Sequence, residues 1–110
     1  MENPLQRSLN IGFISFRFHG TDGVSLETAK WAEVLEDMGH KCFYFSGLSD
    51  RPVERSMVIE EAHFLHPEIR DYYYKFFNST TRSKSETQWI HNKRKFFKNH
   101  LYNFLKKFSL

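Results

Sequence analysis

The spacing of apolar and polar positions changes twice in the first half of the chain. The segment from Ile11 to Phe18 is almost continuously apolar and rich in aromatic and branched residues, which is typical of a strand covered on both faces. From Val24 to Met38 the period becomes helical, and Lys41 to Phe45 is a second short aromatic strand. The apolar side of the predicted helix carries Val24, Trp31, Leu35 and Met38. Residues 11–47 therefore predict a βαβ unit with a right-handed crossover, whose first strand lies inside a parallel sheet.

The link between the first strand and the helix is rich in glycine. Gly20 and Gly23 can take positive φ or let another group approach the backbone, and Asp22 or Ser25 suits the helix N-cap. Gly39 is a good stop for this helix. A helix that starts at the carboxyl end of a strand offers free amides and a positive dipole end to an anion. The glycines lack the preceding Gly-x-Gly of the dinucleotide fingerprint, so ligand contact and simple chain turning are both open from their spacing.

The middle of the chain predicts a third short strand over Ser56 to Ile59. His63 and His66 follow, and their spacing would place two imidazoles on one helical face with Glu60 or Glu61 as a third metal ligand. Two histidines without a cysteine partner, followed by a proline, instead favour a turn, so we expect no metal site.

A helix is predicted to begin at Pro67, since proline suits the first helical turn. Its apolar residues recur at helical spacing and favour a core-facing stripe made of Ile69, Tyr72, Tyr73, Phe76 and Phe77. The polar run from Asn78 to Thr81 ends this helix or caps the next one.

Residues 82–110 form a basic amphipathic segment. They contain eight of the 16 Lys and Arg residues against one acidic residue, a net charge of +7, whereas residues 1–81 carry 8 basic and 12 acidic residues, a net charge of −4. The apolar stripe consists of Trp89 or Ile90, Phe97, Leu101, Phe104, Leu105 and Phe108. Three alternatives are open for this helix. It packs on the sheet with a solvated basic face, it meets an anionic membrane surface or a partner through Lys93, Arg94, Lys95 and Lys98, or it binds nucleic acid, which is disfavoured because no recognised reader motif accompanies the charge.

Two strings in the sequence resemble a known family. GTDGVSLETAKWAEVLEDMGHKCFYFSG and the later EEAHFLHPEI are similar to the amino-terminal end of GT-B glycosyltransferases of the retaining family 4 type, over about residues 11–69. The resemblance implies an α/β fold with a partial Rossmann-like domain, a short parallel sheet with flanking helices and a long basic carboxyl-terminal helix. It also implies a cleft for a nucleotide-sugar donor and an acceptor, lined by Gly20, Thr21, Asp22, Gly23, Val24 and Ser25, with His63 and Phe64 on the acceptor side.

The length of 110 residues fits one small domain over residues 1–110. The family's enzymes are longer and take most of their donor contacts from a second domain, so we expect this chain to be an incomplete domain that needs a partner domain for sugar transfer. The nucleotide sugar would be its substrate, no cofactor is implied, and no catalytic residue is assigned. The alternative is a noncatalytic module that binds a membrane or a partner through the basic helix.

The remaining features concern location and assembly. The single cysteine, Cys42, lies in a predicted strand and favours a buried core position. No apolar run precedes Ile11 and none reaches membrane-spanning length, which predicts a cytoplasmic protein, with peripheral contact at the inner membrane face as the alternative. An incomplete sheet would leave an open edge, so self-association is also expected.

Overall fold

The computed structural model describes residues 7–63 and 66–110, in which a small parallel sheet is flanked by helices. The strands are β1 (Asn10–Ile14), β2 (Arg17–Phe18), β3 (Lys41–Ser46), β4 (Leu48–Ser49) and β5 (Ser56–Val58). The helices are α1 (Gly23–Asp37), α2 (Pro67–Phe77) and α3 (Lys84–Lys107). Short 3₁₀ turns at Val53–Arg55 and Glu60–Ala62 flank β5.

The five strands form a three-stranded sheet and a two-stranded sheet, and the second continues the first beyond a short break near the carboxyl ends of β1 and β3. The main sheet has the order β1-β3-β5, and β2 pairs with β4, all in parallel. Asn10 faces Lys41 in the first ladder and Arg17 faces Leu48 in the second, so the same offset continues across the break at residues 15–16. The predicted strand from Ile11 to Phe18 is thus present as two pieces in one register, and the predicted third strand is confirmed as β5.

Strand β3 lies at the centre of the sheet and is covered on both faces. Cys42 and Tyr44 face α1, and both are buried, as the sequence predicts for Cys42. Phe43 and Phe45 face α3 on the opposite side. Because successive side chains of a strand alternate between its faces, this one segment supplies both halves of the core and creates three layers, with α1 and α3 outside the sheet.

Strand β1 departs from the prediction that it lies inside the sheet. In the described part of the chain it pairs with β3 alone, which makes it an edge strand. Ile14 is 60% exposed and Phe16, just beyond β1, is exposed as well. An apolar run indicates that a strand has apolar surroundings but does not say whether its second edge is paired, so the interior placement of β1 is wrong here.

Helix α1 turns a different face to the sheet than its apolar residues suggest. Val24, Trp31 and Met38 are exposed, while Ser25 and Ala32 are buried, and Leu35 packs at the margin of the core. The sheet contributes the bulky rings of this layer, Phe18 and Tyr44, whose centroids lie 5.5 Å apart. Small residues on the inner face let the helix approach these rings closely. Asp22 is the N-cap and Gly39 follows the helix end with φ of 95°, as expected.

Helices α2 and α3 pack together away from the sheet. The ring of Tyr72 stacks on Trp89, with centroids 3.9 Å apart, and the Trp89 indole N–H donates to the Glu68 carboxylate. Lys93 pairs with the same carboxylate at 3.2 Å. Tyr73 and Phe77 are exposed, so the predicted core stripe of α2 is only partly buried.

The second half of α3 covers the sheet. Phe104 and Phe108 are buried against Phe43 and Phe45, and Phe97 and Leu101 are partly buried beside them. This packing matches the first of the three alternatives for the basic segment. None of the helices in residues 7–63 and 66–110 is both long enough and apolar enough to cross a membrane.

Candidate functional site at the carboxyl edge of the sheet

The parallel strands end at one edge of the sheet, and the predicted site residues follow them there. Residues 19–22 connect β2 to α1, Gly47 lies between β3 and β4, and the Glu60–Ala62 turn follows β5. Ligands of open α/β sheets bind outside the carboxyl ends of the strands. This edge is therefore the part of the fold in which a binding site is expected.

The start of α1 is held by hydrogen bonds of Asp22 and Ser25. The Asp22 carboxylate accepts from the Ser25 amide at 3.1 Å and from the Ser25 hydroxyl at 2.7 Å. The His19 amide in turn donates to the Ser25 hydroxyl oxygen at 3.1 Å. Ser25 is buried, so its hydroxyl fixes the loop from inside and does not face outward, whereas Gly20, Thr21, Gly23 and Val24 are exposed.

The backbone conformation requires glycine at only one of the two glycine positions in this loop. Gly20 has a φ of 83°, a conformation that side chains with a Cβ rarely adopt. Gly23 has no such φ, and a Cβ built on it would meet no atom within 4 Å. The fold therefore explains Gly20 but not Gly23. The surface above Gly23 is open to close approach by an external group.

The charge at this loop is mixed. Hydrogen bonds from the Ser25 side chain and amide, together with the nearby Arg17 guanidinium, lower the pKa of Asp22 below its usual range. Arg17 Nε lies 3.1 Å from an Asp22 carboxylate oxygen. A carboxylate thus already occupies the helix N-terminus at neutral pH, where it opposes a second anion. Its remaining lone pairs can accept hydrogen bonds from hydroxyl groups such as those of a sugar.

A larger groove lies between the end of β1 and helices α2 and α3. Its volume is about 730 Å³, within the usual range for small-molecule sites. The lining is mainly apolar, with Arg94, Lys98 and Glu61 as its charged members. The apolar lining residues are Ile14, Phe16, Phe45, Ala62, Ile69, Phe97 and Leu101. No sequence spacing predicts this groove, because its residues come from five separate segments of the chain.

A smaller cup of about 270 Å³ is lined by Gly47, Leu48, Glu60, His63 and His66. A Cβ on Gly47 would lie 2.3 Å from the His63 backbone nitrogen, so the turn after β5 packs directly on this glycine. His63 follows a 3₁₀ turn and His66 caps α2, so they do not share a helical face as the metal hypothesis required. No group of three side chains suited to a metal ion occurs in residues 7–63 and 66–110. Phe64, predicted beside His63 on the acceptor side, lies outside the described residues.

The four basic residues predicted to meet a membrane or partner separate in the structure. Lys93 is tied to Glu68, and Arg94 and Lys98 line the groove, while Lys95 is exposed. Most of the apolar stripe of the same helix packs on the sheet or on α2, namely Trp89, Phe97, Leu101, Phe104 and Phe108. A membrane contact through this helix would therefore have to rely on its charges and not on its apolar stripe.

Comparison with known proteins identifies no relative of this chain. No protein-family model matches the chain, and no curated protein or solved structure is significantly similar to it.

Proposed function

We propose that the chain is a Rossmann-like unit of a GT-B glycosyltransferase, related to the retaining family 4 type, and that it forms one wall of a site for a nucleotide sugar and an acceptor. The parallel strand order β1-β3-β5, with α1 as the crossover between β1 and β3, supports this proposal. Sugar transfer would need a second domain to complete the site.

The observation that carries the proposal is the open backbone at Gly23. This glycine is required neither by its φ nor by crowding, and it begins α1 at the carboxyl edge of the sheet. A glycine that the fold does not need, at the position where ligands of such folds bind, supports close contact between the loop and a ligand.

The ionised Asp22 refines which part of the ligand would lie here. Because its ionised carboxylate accepts a hydrogen bond from the Ser25 amide at the helix N-terminus, a diphosphate bound there would lie beside a negative charge. Sugar or acceptor hydroxyls can donate to that carboxylate instead. The loop is therefore proposed to hold a hydroxyl-bearing group, with the diphosphate contacts coming from elsewhere in the complete site.

The test is an amide NMR titration of the purified chain with UDP-glucose and GDP-mannose, compared with inorganic pyrophosphate. Shifts at Gly23 and Val24 with a nucleotide sugar, and none with pyrophosphate, are expected. Gly23→Val should remove the shifts without lowering the melting temperature, since the added side chain occupies open space. Asp22→Asn distinguishes the two orientations, because it would strengthen pyrophosphate binding if a phosphate lay beside residue 22. Absence of any shift in the loop with either sugar nucleotide would reject the proposal.

A further inference from the structure

Within residues 7–63 and 66–110, no strand pairs with the outer edge of β1. The Leu9 carbonyl accepts from the Lys41 amide at 2.8 Å, and the Ser15 amide donates to the Phe45 carbonyl at 3.1 Å. In a parallel ladder the residues that bond to a neighbour alternate with residues that point away from it. Asn10, Gly12 and Ile14 therefore direct their N–H and C=O groups outward, where the described residues supply no strand.

Two exposed apolar residues of α1, Val24 and Trp31, and its C-cap Met38 lie on the same side of the molecule as this edge. Glu36 pairs with Arg55, which immediately precedes β5, so that side of the helix points toward β5. Going around the helix at 100° per residue, Ala32 faces the sheet and Trp31 points to the opposite side, toward β1. Trp31 is 57% exposed. The residues one period of seven before and after it, Val24 and Met38, are also exposed.

The edge lacks the charges and prolines that keep many sheet edges unpaired in monomeric proteins. Residues 8–16 contain no charged residue and no proline. Natural edge strands are commonly protected by lysine, proline or an inward-pointing charge. Here the strand edge is instead continuous with exposed apolar side chains on both faces: Leu9, Ile14, Phe16, Val24, Trp31, Val34 and Met38.

We infer that this surface binds a second copy of the chain through antiparallel pairing of the two β1 strands. Gly12 is the middle of the three outward-facing residues, so a two-fold axis beside it pairs Gly12 with Gly12 of the second copy and Asn10 with Ile14. Each such pair exchanges two backbone hydrogen bonds. The two sheets would join into one six-stranded sheet.

The α1 helices of the two copies are compatible with the same two-fold axis. Cys42 is paired with Ile11 in the ladder and its thiol contacts the Ala32 carbonyl, so the middle of α1 lies level with the middle of β1. A two-fold axis perpendicular to the sheet places both α1 helices on the same face of the joined sheet, one on each side of the axis. Trp31 is the centre of its stripe, and an antiparallel copy places Val24 opposite Met38.

The area is close to what a stable dimer needs. The seven exposed apolar side chains are each half to two-thirds exposed. Burying these side chains would remove about 700 Å² of accessible surface from each copy, compared with about 800 Å² per partner in a standard interface. A two-fold contact requires a patch that complements itself, and the centres of the strand and of the helix stripe lie level with each other along the strand. This symmetry favours a second copy over an unrelated partner.

The experiment is sedimentation velocity over a concentration series, combined with amide hydrogen exchange. A monomer–dimer equilibrium is expected, in which Asn10, Gly12 and Ile14 amides become protected as concentration rises, while Ile11, Phe13 and Ser15 are protected throughout. In a mixed-label sample, an intermolecular contact between the α-protons of Ile11 and Phe13 identifies the register.

Two surface variants provide the control. Trp31→Glu should raise the dimer dissociation constant by at least about tenfold. Val53→Glu should leave it unchanged, because Val53 is 86% exposed and lies beside β5 at the other end of the sheet. Far-UV circular dichroism checks that both variants fold. A monomer at all concentrations, open-ended aggregation, a dimer that tolerates Trp31→Glu, or protection of amides outside the β1 edge would each overturn the inference.

Discussion

The carboxylate of Asp22 binds both the amide and the hydroxyl of Ser25, at 3.1 and 2.7 Å, so the helix start that the sequence marks as an anion site already contains a negative charge. These two bonds, and the pairing of Asp22 with Arg17, organise the loop before any ligand is present. The same relationship makes the loop sensitive to pH.

Acidification should loosen this loop. The pKa of Asp22 is lowered in the folded chain, first by the Ser25 hydroxyl, so its stabilising contribution is present above the unfolded pKa and is lost as pH falls through the folded value. An NMR titration of the Asp22 carboxyl carbon should give a folded pKa below the ordinary range of about 3.9. Ser25→Ala should raise it toward that value. A pKa unchanged by Ser25→Ala would contradict the assigned cause.

Glycine 47 should be intolerant of any side chain. A Cβ there would meet the His63 nitrogen at 2.3 Å and the Ala62 carbonyl carbon at 2.7 Å, and both are backbone atoms that move only with the whole turn. Gly47→Ala is expected to lower the free energy of unfolding by about 1–3 kcal/mol in urea denaturation, because overpacking forces such shifts.

The matched control for Gly47 is Gly23→Ala. Residue 23 has open space around its Cα and no left-handed backbone, so this change should leave the unfolding free energy nearly unchanged. Equal losses in the two variants would show that crowding at Gly47 is not the cause.

The βαβ unit could be predicted from sequence because its signals are local. Asp22 is the cap, Gly39 follows the helix, and the alternation of β3 between two faces is implied by its continuous apolar run. The inward face of α1 could not be predicted. Its bulky residues point outward, since Ser25 and Ala32 fit against aromatic rings that the distant β2 and β3 supply.

The groove and the edge position of β1 depend on tertiary arrangement alone. The charge of Arg94 and Lys98 is evident from the sequence, but their place in one groove with Ile69 and Phe45 follows from how α3 packs on both α2 and the sheet. Likewise, the sequence of β1 is compatible with one paired edge or two, because apolar periodicity describes the faces of a strand and not its edges.

Phe104 should contribute the most to stability among the residues of α3. Its side chain has 0% exposure and packs on Phe45, with ring centroids 5.3 Å apart. Phe104→Ala should cost about 3–5 kcal/mol, a large part of the stability of a small domain. Tyr102→Ala on the same helix is the control, since Tyr102 is 63% exposed and its loss should change the denaturation midpoint little. Similar midpoints for the two variants would place the core elsewhere.

Contact between α2 and α3 should depend on the charge of Glu68. The Trp89 indole N–H and then Lys93 lower the pKa of Glu68, so the ionised carboxylate favours the packed hairpin above the unfolded pKa, and this contribution disappears as pH falls through the folded value. Trp89 reports the contact directly by fluorescence once the exposed Trp31 is replaced by Phe. In that background, the emission of Trp89 should change on acidification, and Glu68→Gln should remove most of that change. Because the side chain of Glu68 is 39% exposed, the effect on global stability should be small, and a large shift in the urea midpoint at neutral pH on Glu68→Gln would contradict the local role assigned to this pair.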